Sequence, residues 1–417
     1  MQALNSVVRL GQALAGLAFT CVCIAPAMAQ VPSGNNPAQA LAMQQRAVPA
    51  SVPGINLFPT LSFDTLVSID YAHMSSNTGP SRGPGFVFWS DSTLQIEFDE
   101  ELSLTGLLQI KPREPLPEDN PNNELFINRG LNRREGGMMK ELYLRYGDWR
   151  VGKFVQGFGR GYAMLPGPYS SDFTEEPEAY EPSSMVGIEK VHVFDDETSG
   201  WRQLTLSAFM VDRTFLHQSF GYNEGWIRYS EGGVGNTRLP ENLMATYDVM
   251  GQPLGNWGSL SYQAGLIRWG KPVDAEKSEW WTTLGGDITV PLTSGVADTL
   301  RGEYSQLMFY VEGVRRDNFE GISGRTRSFL SGAAEYMTGN WVFDLTTTQR
   351  WTNGSDLPNQ RDTLYSASIG YNLPSQINIA FSGAREQVGD QSGVYVGIRF
   401  TQAFTNCSKC MMKGLSY

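Results

Sequence analysis

This 417-residue sequence is notable first for what it has little of. Its three histidines, His73, His192 and His217, are too scattered to form a Ser-His-Asp set or a metal cluster. Beyond residue 29, no segment approaches the roughly 18 consecutive apolar residues of a membrane-spanning helix. Charged residues make up only 18% of the chain, and the formal net charge is −11. We therefore expect no enzymatic activity, no metal, no cofactor and no nucleic acid partner.

The first 29 residues resemble a secretory signal peptide. Arg9 precedes an apolar stretch at residues 10–25, and the Ala-Met-Ala sequence at 27–29 is a small-x-small cleavage site. Residues 30–60 are rich in Pro, Ala, Gln and Gly and show no clear periodicity. We expect them to form a poorly ordered periplasmic segment.

Short runs of alternating apolar and polar residues dominate the rest of the chain, as in half-exposed β-strands. We count sixteen such runs between Leu66 and Phe404, joined alternately by short turns and by mostly longer polar loops. Short periplasmic turns and longer outer loops are typical of bacterial β-barrels. The predicted outer loops are residues 75–91, 113–138, 157–184, 213–241, 270–280, 312–326, 353–362 and 388–393.

Ten tryptophans occur in the chain, and many lie near the ends of these runs. Trp149 and Trp341 follow tight turns, Trp269 and Trp351 close runs, and Trp281 comes just before another run. Indole rings favour the headgroup level of a bilayer, where one face is apolar and the N–H is wet. The pattern therefore predicts two aromatic girdles around a transmembrane barrel.

Charged residues recur on one face of the predicted strands. Leu94 and Ile96 point one way, for example, while Gln95 and Glu97 point the other. Charges would be costly in a packed core, but a wet lumen removes this cost, and sixteen strands leave a channel too wide for side chains to fill. The sequence thus predicts an all-β fold, an antiparallel transmembrane barrel of about sixteen strands over residues 61–404. The inner wall is expected to carry Glu97, Arg145, Arg301, Glu303, Glu335, Asp344 and Arg399.

Three segments resemble Gram-negative outer-membrane porins. Residues 142–154 (LYLRYGDWRVGKF) and 156–159 (QGFG) are similar to the hairpin that precedes the third loop in phosphate-selective porins. Residues 393–404 (GVYVGIRFTQAF) resemble a last porin strand, whose terminal aromatic, here Phe404, is the assembly signal. The resemblance implies an outer-membrane channel for passive diffusion of small hydrophilic solutes and ions. It also implies a homotrimer, contact with lipid and lipopolysaccharide, and recognition by the barrel-assembly machinery.

The resemblance further implies that the third outer loop, residues 157–184, folds into the lumen and narrows it. The acidic residues of this loop would then line a constriction, and acidic rings favour cations. The alternative is a solvated acidic outer loop. The predicted constriction residues are Asp172, Glu175, Glu176, Glu178 and Glu181.

Residues 405–417 extend beyond Phe404 without alternation, so we expect a periplasmic tail that does not join the sheet. Cys407 and Cys410 form a possible disulfide in this tail, with two chance thiols, a metal site or a partner contact as alternatives. The tail motivates the main alternative function, a conduit or scaffold barrel that sheathes a periplasmic electron-transfer or secretion partner. An outer-membrane hydrolase, the distant alternative, would need a clustered nucleophile and base.

Overall fold

In the computed structural model, the chain folds into one closed antiparallel barrel of sixteen strands, which confirms the predicted fold class. The structure describes residues 59–76, 85–112, 135–167, 180, 182, 185–194, 201–217, 228–273, 275–293, 305–373 and 377–407. The strands are β1 Thr60–Ser76, β2 Gly85–Glu97, β3 Leu102–Pro112, β4 Glu135–Tyr146, β5 Trp149–Phe154, β6 Met185–Phe194, β7 Trp201–Val211, β8 Asn242–Pro253, β9 Ser259–Arg268, β10 Trp280–Pro291, β11 Ser305–Asp317, β12 Thr326–Thr338, β13 Trp341–Gly354, β14 Leu357–Asn372, β15 Ile377–Val388 and β16 Gln391–Cys407.

Each strand pairs with its neighbours in sequence, and β1 closes the barrel by pairing with β16. Two periplasmic hairpins, β4–β5 and β12–β13, are two-residue turns. Gly147 and Gly339 take positive φ angles of 52° and 54° in them, a conformation that two-residue hairpin turns require. Among the described residues, the one α-helix is a single turn, α1 Gly161–Met164, and no helix is long and apolar enough to cross a bilayer. Short 3-10 turns occur at Phe215–His217, Tyr229–Glu231, Gly255–Trp257 and Phe319–Gly321.

The two faces of the wall differ in polarity, as the alternation predicts. Leu345 and Phe381 point outward and are more than half exposed, whereas Thr346 and Ser382 point inward and are buried. An apolar belt of this extent would be unstable in water, but it matches the hydrocarbon of a bilayer. Trp341 and Trp351 lie ten residues apart on the outward face of β13, about the length with which a tilted strand crosses the apolar layer. The protein is thus a barrel of the outer membrane.

Two tryptophans do not belong to the girdles in which the sequence pattern placed them. Trp269, just beyond β9, and Trp281 on β10 point into the barrel and are almost completely buried. Their rings contact each other at a centroid distance of 4.8 Å. The prediction was wrong for this pair because an aromatic residue near a strand end marks the level of an interface but not the face of the wall.

Several strands run further than predicted. Residues 353–362 and 388–393 are not outer loops, because β13 and β14 meet across Ser355–Asp356, and β15 and β16 meet across Gly389–Asp390. Polar residues in these extensions, such as Asp362, continue the hydrogen-bonded pairing of the strands beyond the point where the alternation of apolar and polar residues stops. Strand β11 likewise continues through Asp317.

The periplasmic end of β16 also lies beyond the predicted boundary. Thr405, Asn406 and Cys407 continue the strand and pair with Asp64, Phe63 and Ser62 of β1, so the expectation that residues after 404 leave the sheet was wrong for these three. Strand β1 begins early enough, at Thr60, to offer them partners. Cys410 lies outside the described residues, and the Cys407–Cys410 disulfide stays a prediction.

Candidate functional site in the barrel lumen

The third outer loop enters the barrel and crosses it. Near its base, the backbone N–H of Gln156 donates to the carbonyl of Pro182 at 3.1 Å, which ties the two ends of the loop together. The carbonyl of Gly157 then accepts a hydrogen bond of 3.1 Å from Gln263 on β9. Further on, a Cβ atom at Gly167 would lie 3.5 Å from the hydroxyl oxygen of Ser368 on β14. The loop thus leaves β5 and reaches the opposite side of the wall.

Two carboxylates of the wall hold the loop between these points. Glu312 on β11 accepts the backbone N–H groups of Arg160 and Gly161, at 2.6 and 2.7 Å. The same carboxylate accepts the hydroxyl of Tyr180, from the returning arm of the loop, at 2.5 Å. Asp287 on β10 pairs with the guanidinium of Arg160 at 3.1 Å. All of these groups are buried, so the contacts form in a site with little competing water.

An apolar cluster fills the lumen between this loop and one side of the wall. The Phe158 ring lies 5.9 Å from Trp281, and Tyr180 meets Phe329 edge to face at 5.1 Å, both measured between centroids. Burying these rings stabilises the inward position of the loop by the hydrophobic effect. The cluster comprises Phe158, Tyr180, Met185, Phe209, Val211, Met244, Ile267, Trp269, Trp281, Val314 and Phe329.

Hydroxyl groups line the wall from β12 to β14, opposite Gly167 of the loop. Thr346 and Ser366 are 2.6 Å apart, and Thr348 donates to Ser331 at 3.1 Å. Ser368 donates to the carboxylate of Asp344 at 2.6 Å. Such a surface offers both donors and acceptors to passing water and polar solutes.

Carboxylates outnumber cations among the buried inward-facing strand residues for which the structure describes the side chain. Three arginines are paired there: Arg150 with Glu189, Arg316 with Glu279 at 2.7 Å, and Arg350 with Asp362 at 2.8 Å. Asp70 and Asp287 pair with Arg399 and Arg160. Asp91 and Asp248 accept hydrogen bonds from the neutral amides of Gln109 and Gln263. The buried strand carboxylates are Asp70, Asp91, Glu189, Asp248, Asp287, Glu312, Glu335, Asp344, Asp362 and Glu386.

The wall residues predicted from sequence face inward wherever the structure describes them. Arg399 on β16 forms two hydrogen bonds of 2.6 Å with Asp70 on β1, across the closing seam. Glu335 and Asp344 are direct cross-strand partners on β12 and β13. Near the periplasmic end, Glu97 accepts from Thr60 at 2.7 Å, and Arg145 bends to the carbonyl of Gly147 at 3.0 Å. Arg301, Glu303 and the loop residues Asp172, Glu175, Glu176, Glu178 and Glu181 lie outside the described residues.

The sequence did not single out Glu312, Asp287 or Asp70, which hold the loop and the seam. Glu312 was missed because the predicted strand ended at Val311, which placed the carboxylate in an outer loop. If the alternation had been followed for six more residues, to Asp317, it would have shown that Glu312 faces inward. Asp70 was inside a predicted strand, but no local signal pairs it with an arginine 329 positions away.

A buried ion pair lies on the other face of the wall, near the outer end of β5. Lys153 follows the outward parity of Val151, yet its ammonium lies 2.9 Å from Asp212 and donates to the carbonyl of Leu216 at 2.9 Å. The 3-10 turn at Phe215–His217 thus covers the outer ends of the neighbouring strands. The positive charge of this outward-facing lysine is thus neutralised by Asp212 of the same chain.

The three histidines lie far apart in the fold. His73 points outward from β1, His217 lies in an outer turn, and His192 is 3.7 Å from Asp148 at the periplasmic rim. The three histidines therefore do not form a cluster.

An ion pair lies at the outer rim. Arg325 donates to Asp356 at 2.9 and 3.0 Å, and these hydrogen bonds lower the pKa of the Asp356 carboxyl.

No protein-family profile and no curated protein sequence matches this chain. Solved structures do match its fold. The outer membrane channel DcaP of Acinetobacter baumannii aligns with a TM-score of 0.54 and 12% identity, over 85% of this chain and 100% of that one. An anion-selective porin from Comamonas acidovorans aligns with a TM-score of 0.48 and 13% identity, over 82% and 99%. The alignment with DcaP shows that the chain is similar in fold to an outer membrane channel.

Proposed function

We propose that the protein is a porin, a water-filled channel for passive diffusion of small hydrophilic solutes and ions. The observation that carries this proposal is the inner wall, where hydroxyls, carboxylates and arginines replace the apolar core of a soluble β-protein. Such groups keep a water column across the bilayer, because their hydration offsets the cost of placing charge within the membrane. The crossing loop then narrows the column without closing the whole lumen.

We further propose that the channel prefers cations. The excess of wall carboxylates supports this preference, since a ring of negative charge lowers the energy of a cation in the pore. The five predicted acids of the third loop, Asp172, Glu175, Glu176, Glu178 and Glu181, would add to the same field. Phosphate selectivity, suggested by the resemblance of the hairpin at 142–154, has no inward ladder of unpaired arginines to support it among the described residues.

Conductance of the purified barrel in a planar bilayer tests the proposal. We expect ohmic steps, and a reversal potential in a salt gradient that is displaced toward the cation. A refolded barrel that gives no steps at any salt concentration would reject the porin function. It would favour the alternative, a conduit or scaffold barrel that sheathes a periplasmic electron-transfer or secretion partner, with Cys407 at the periplasmic end of β16.

We also propose a homotrimer in a membrane that contains lipopolysaccharide. The outward face is apolar enough to bury a flat contact between barrels without rearrangement, and closed symmetry is the usual arrangement of homo-oligomers. Native mass measurement in mild detergent should give about three chains. A strictly monomeric species across several detergents would contradict the trimer but leave the channel untouched.

A further inference from the structure

Glu312 is the point where both arms of the third loop meet the wall. Its two carboxylate oxygens accept the N–H groups of Arg160 and Gly161 from the entering arm and the hydroxyl of Tyr180 from the returning arm. Thr283 of β10 donates to the same carboxylate at 3.1 Å and fixes its orientation. Hydrogen bonds to a buried charged acceptor are about twice as strong as neutral ones. One side chain therefore fastens two segments that lie far apart along the loop.

The backbone around this contact is shaped for a close approach. A Cβ atom at Gly161 would lie 2.1 Å from the Tyr180 hydroxyl oxygen and 2.7 Å from the Glu312 carboxylate. Gly159 has a φ of 73°, and a Cβ there would lie 2.7 Å from the Tyr180 ring. Any larger residue would push the entering arm away from β11. The two glycines therefore allow the backbone of the loop to come close to Glu312 and Tyr180.

We propose that Glu312 is a positioning residue that holds the third loop inside the lumen and thereby sets the width of the channel. This inference rests on the proposed porin function. The carboxylate itself is covered by the loop, so it acts on permeation through the loop and not by touching the solute. The Arg160–Asp287 pair stabilises the same position from the neighbouring strand.

The first test is Glu312→Gln, which keeps the size of the side chain but removes its charge and leaves one acceptor oxygen. Hydrogen exchange of the peptide covering residues 156–167 reports the anchor directly. Loss of a charge-assisted hydrogen bond predicts exchange that is faster by about tenfold or more at the freed amides. Single-channel conductance should rise, because the entering arm moves away from its fixed position.

Glu276→Gln is the matched control. Glu276 is exposed in the outer connection before β10, where it accepts the N–H of Ser323 at 3.2 Å. The same chemical change at this position should leave both the exchange of residues 156–167 and the conductance at wild-type values. A general effect of removing a carboxylate from this side of the barrel would appear in both variants.

Gly161→Ala is a second variant that disturbs the same contact but leaves the charge of Glu312 in place. It tests the proposal even if the Glu312→Gln protein does not insert into the membrane. Its methyl group should displace the loop and produce the same two changes, and a double variant should add little to either single one. Unchanged exchange in both variants would overturn the anchor. Faster exchange with wild-type conductance would overturn its role in channel width. A wild-type barrel without conductance would refute the porin function itself, while the exchange result would still decide the anchor.

Discussion

The seam between the first and last strands offers the sharpest test of the electrostatic structure of the wall. Arg399 and Asp70 meet there through two hydrogen bonds of 2.6 Å, and their side chains are 18% and 7% exposed. Removing one member of a buried ion pair leaves the other uncompensated, which typically costs about 3–5 kcal/mol. We therefore expect Arg399→Ala to lower the free energy of unfolding by about 3 kcal/mol, since Asp70 is left buried without its guanidinium. Asp70→Ala should cost less, about 2 kcal/mol, because the longer arginine can turn its charge to the lumen water.

Equilibrium urea unfolding in lipid vesicles, followed by tryptophan fluorescence, measures these differences. The double variant should lose less than the sum of the single ones, with a coupling of about 1–3 kcal/mol. Arg361→Ala is the control, because Arg361 is exposed on the outer face and should contribute at most about 1 kcal/mol. In the channel assay, Arg399→Ala should strengthen cation preference and Asp70→Ala should weaken it. An additive double variant, or an Arg399→Ala cost no larger than that of the control, would show that the pair is solvated and that the seam does not depend on it.

Three further predictions concern the loop, the cluster and the tail. Replacing the loop acids Glu175, Glu176 and Glu178 with Gln should move the reversal potential toward zero, and an unchanged potential would place these acids away from the narrow part of the pore. Trp281→Ala should cost about 3–5 kcal/mol in the same unfolding assay because it empties the centre of the apolar cluster; a cost below about 1 kcal/mol would mean that the cluster is not packed. Deleting residues 408–417 should leave a heat-modifiable barrel, whereas Phe404→Ala should slow assembly, and the opposite pair of results would contradict the assignment of the assembly signal.

The number of strands and the faces of the wall could be predicted from sequence because both depend on a local period of two residues. Leu345 and Thr346 differ in environment simply because they are neighbours in a strand with lipid on one side. The ends of the strands could not be predicted as well. Above the membrane, neither face contacts hydrocarbon, so the apolar alternation stops while the hydrogen-bonded ladder continues. This is why the outer ends of β11, β13 and β14 were assigned to loops.

The partners of the wall charges could not be predicted, because alternation gives the face of a residue but not its register with a distant strand. The sequence pattern placed Arg399 on the inner wall, yet the effect of its charge on the pore depends on Asp70, which forms an ion pair with it from the other end of the chain. The resemblance to porins likewise indicated a loop in the lumen but gave no reason for the loop to stay there. In this chain the reason is the buried carboxylate of Glu312 on β11. It accepts hydrogen bonds from both arms of the loop, two of them from backbone N–H groups of the Gly-Arg-Gly turn at 159–161. A channel whose wall is rich in carboxylates can anchor its loop in this way, because backbone N–H groups are the donors that every loop possesses.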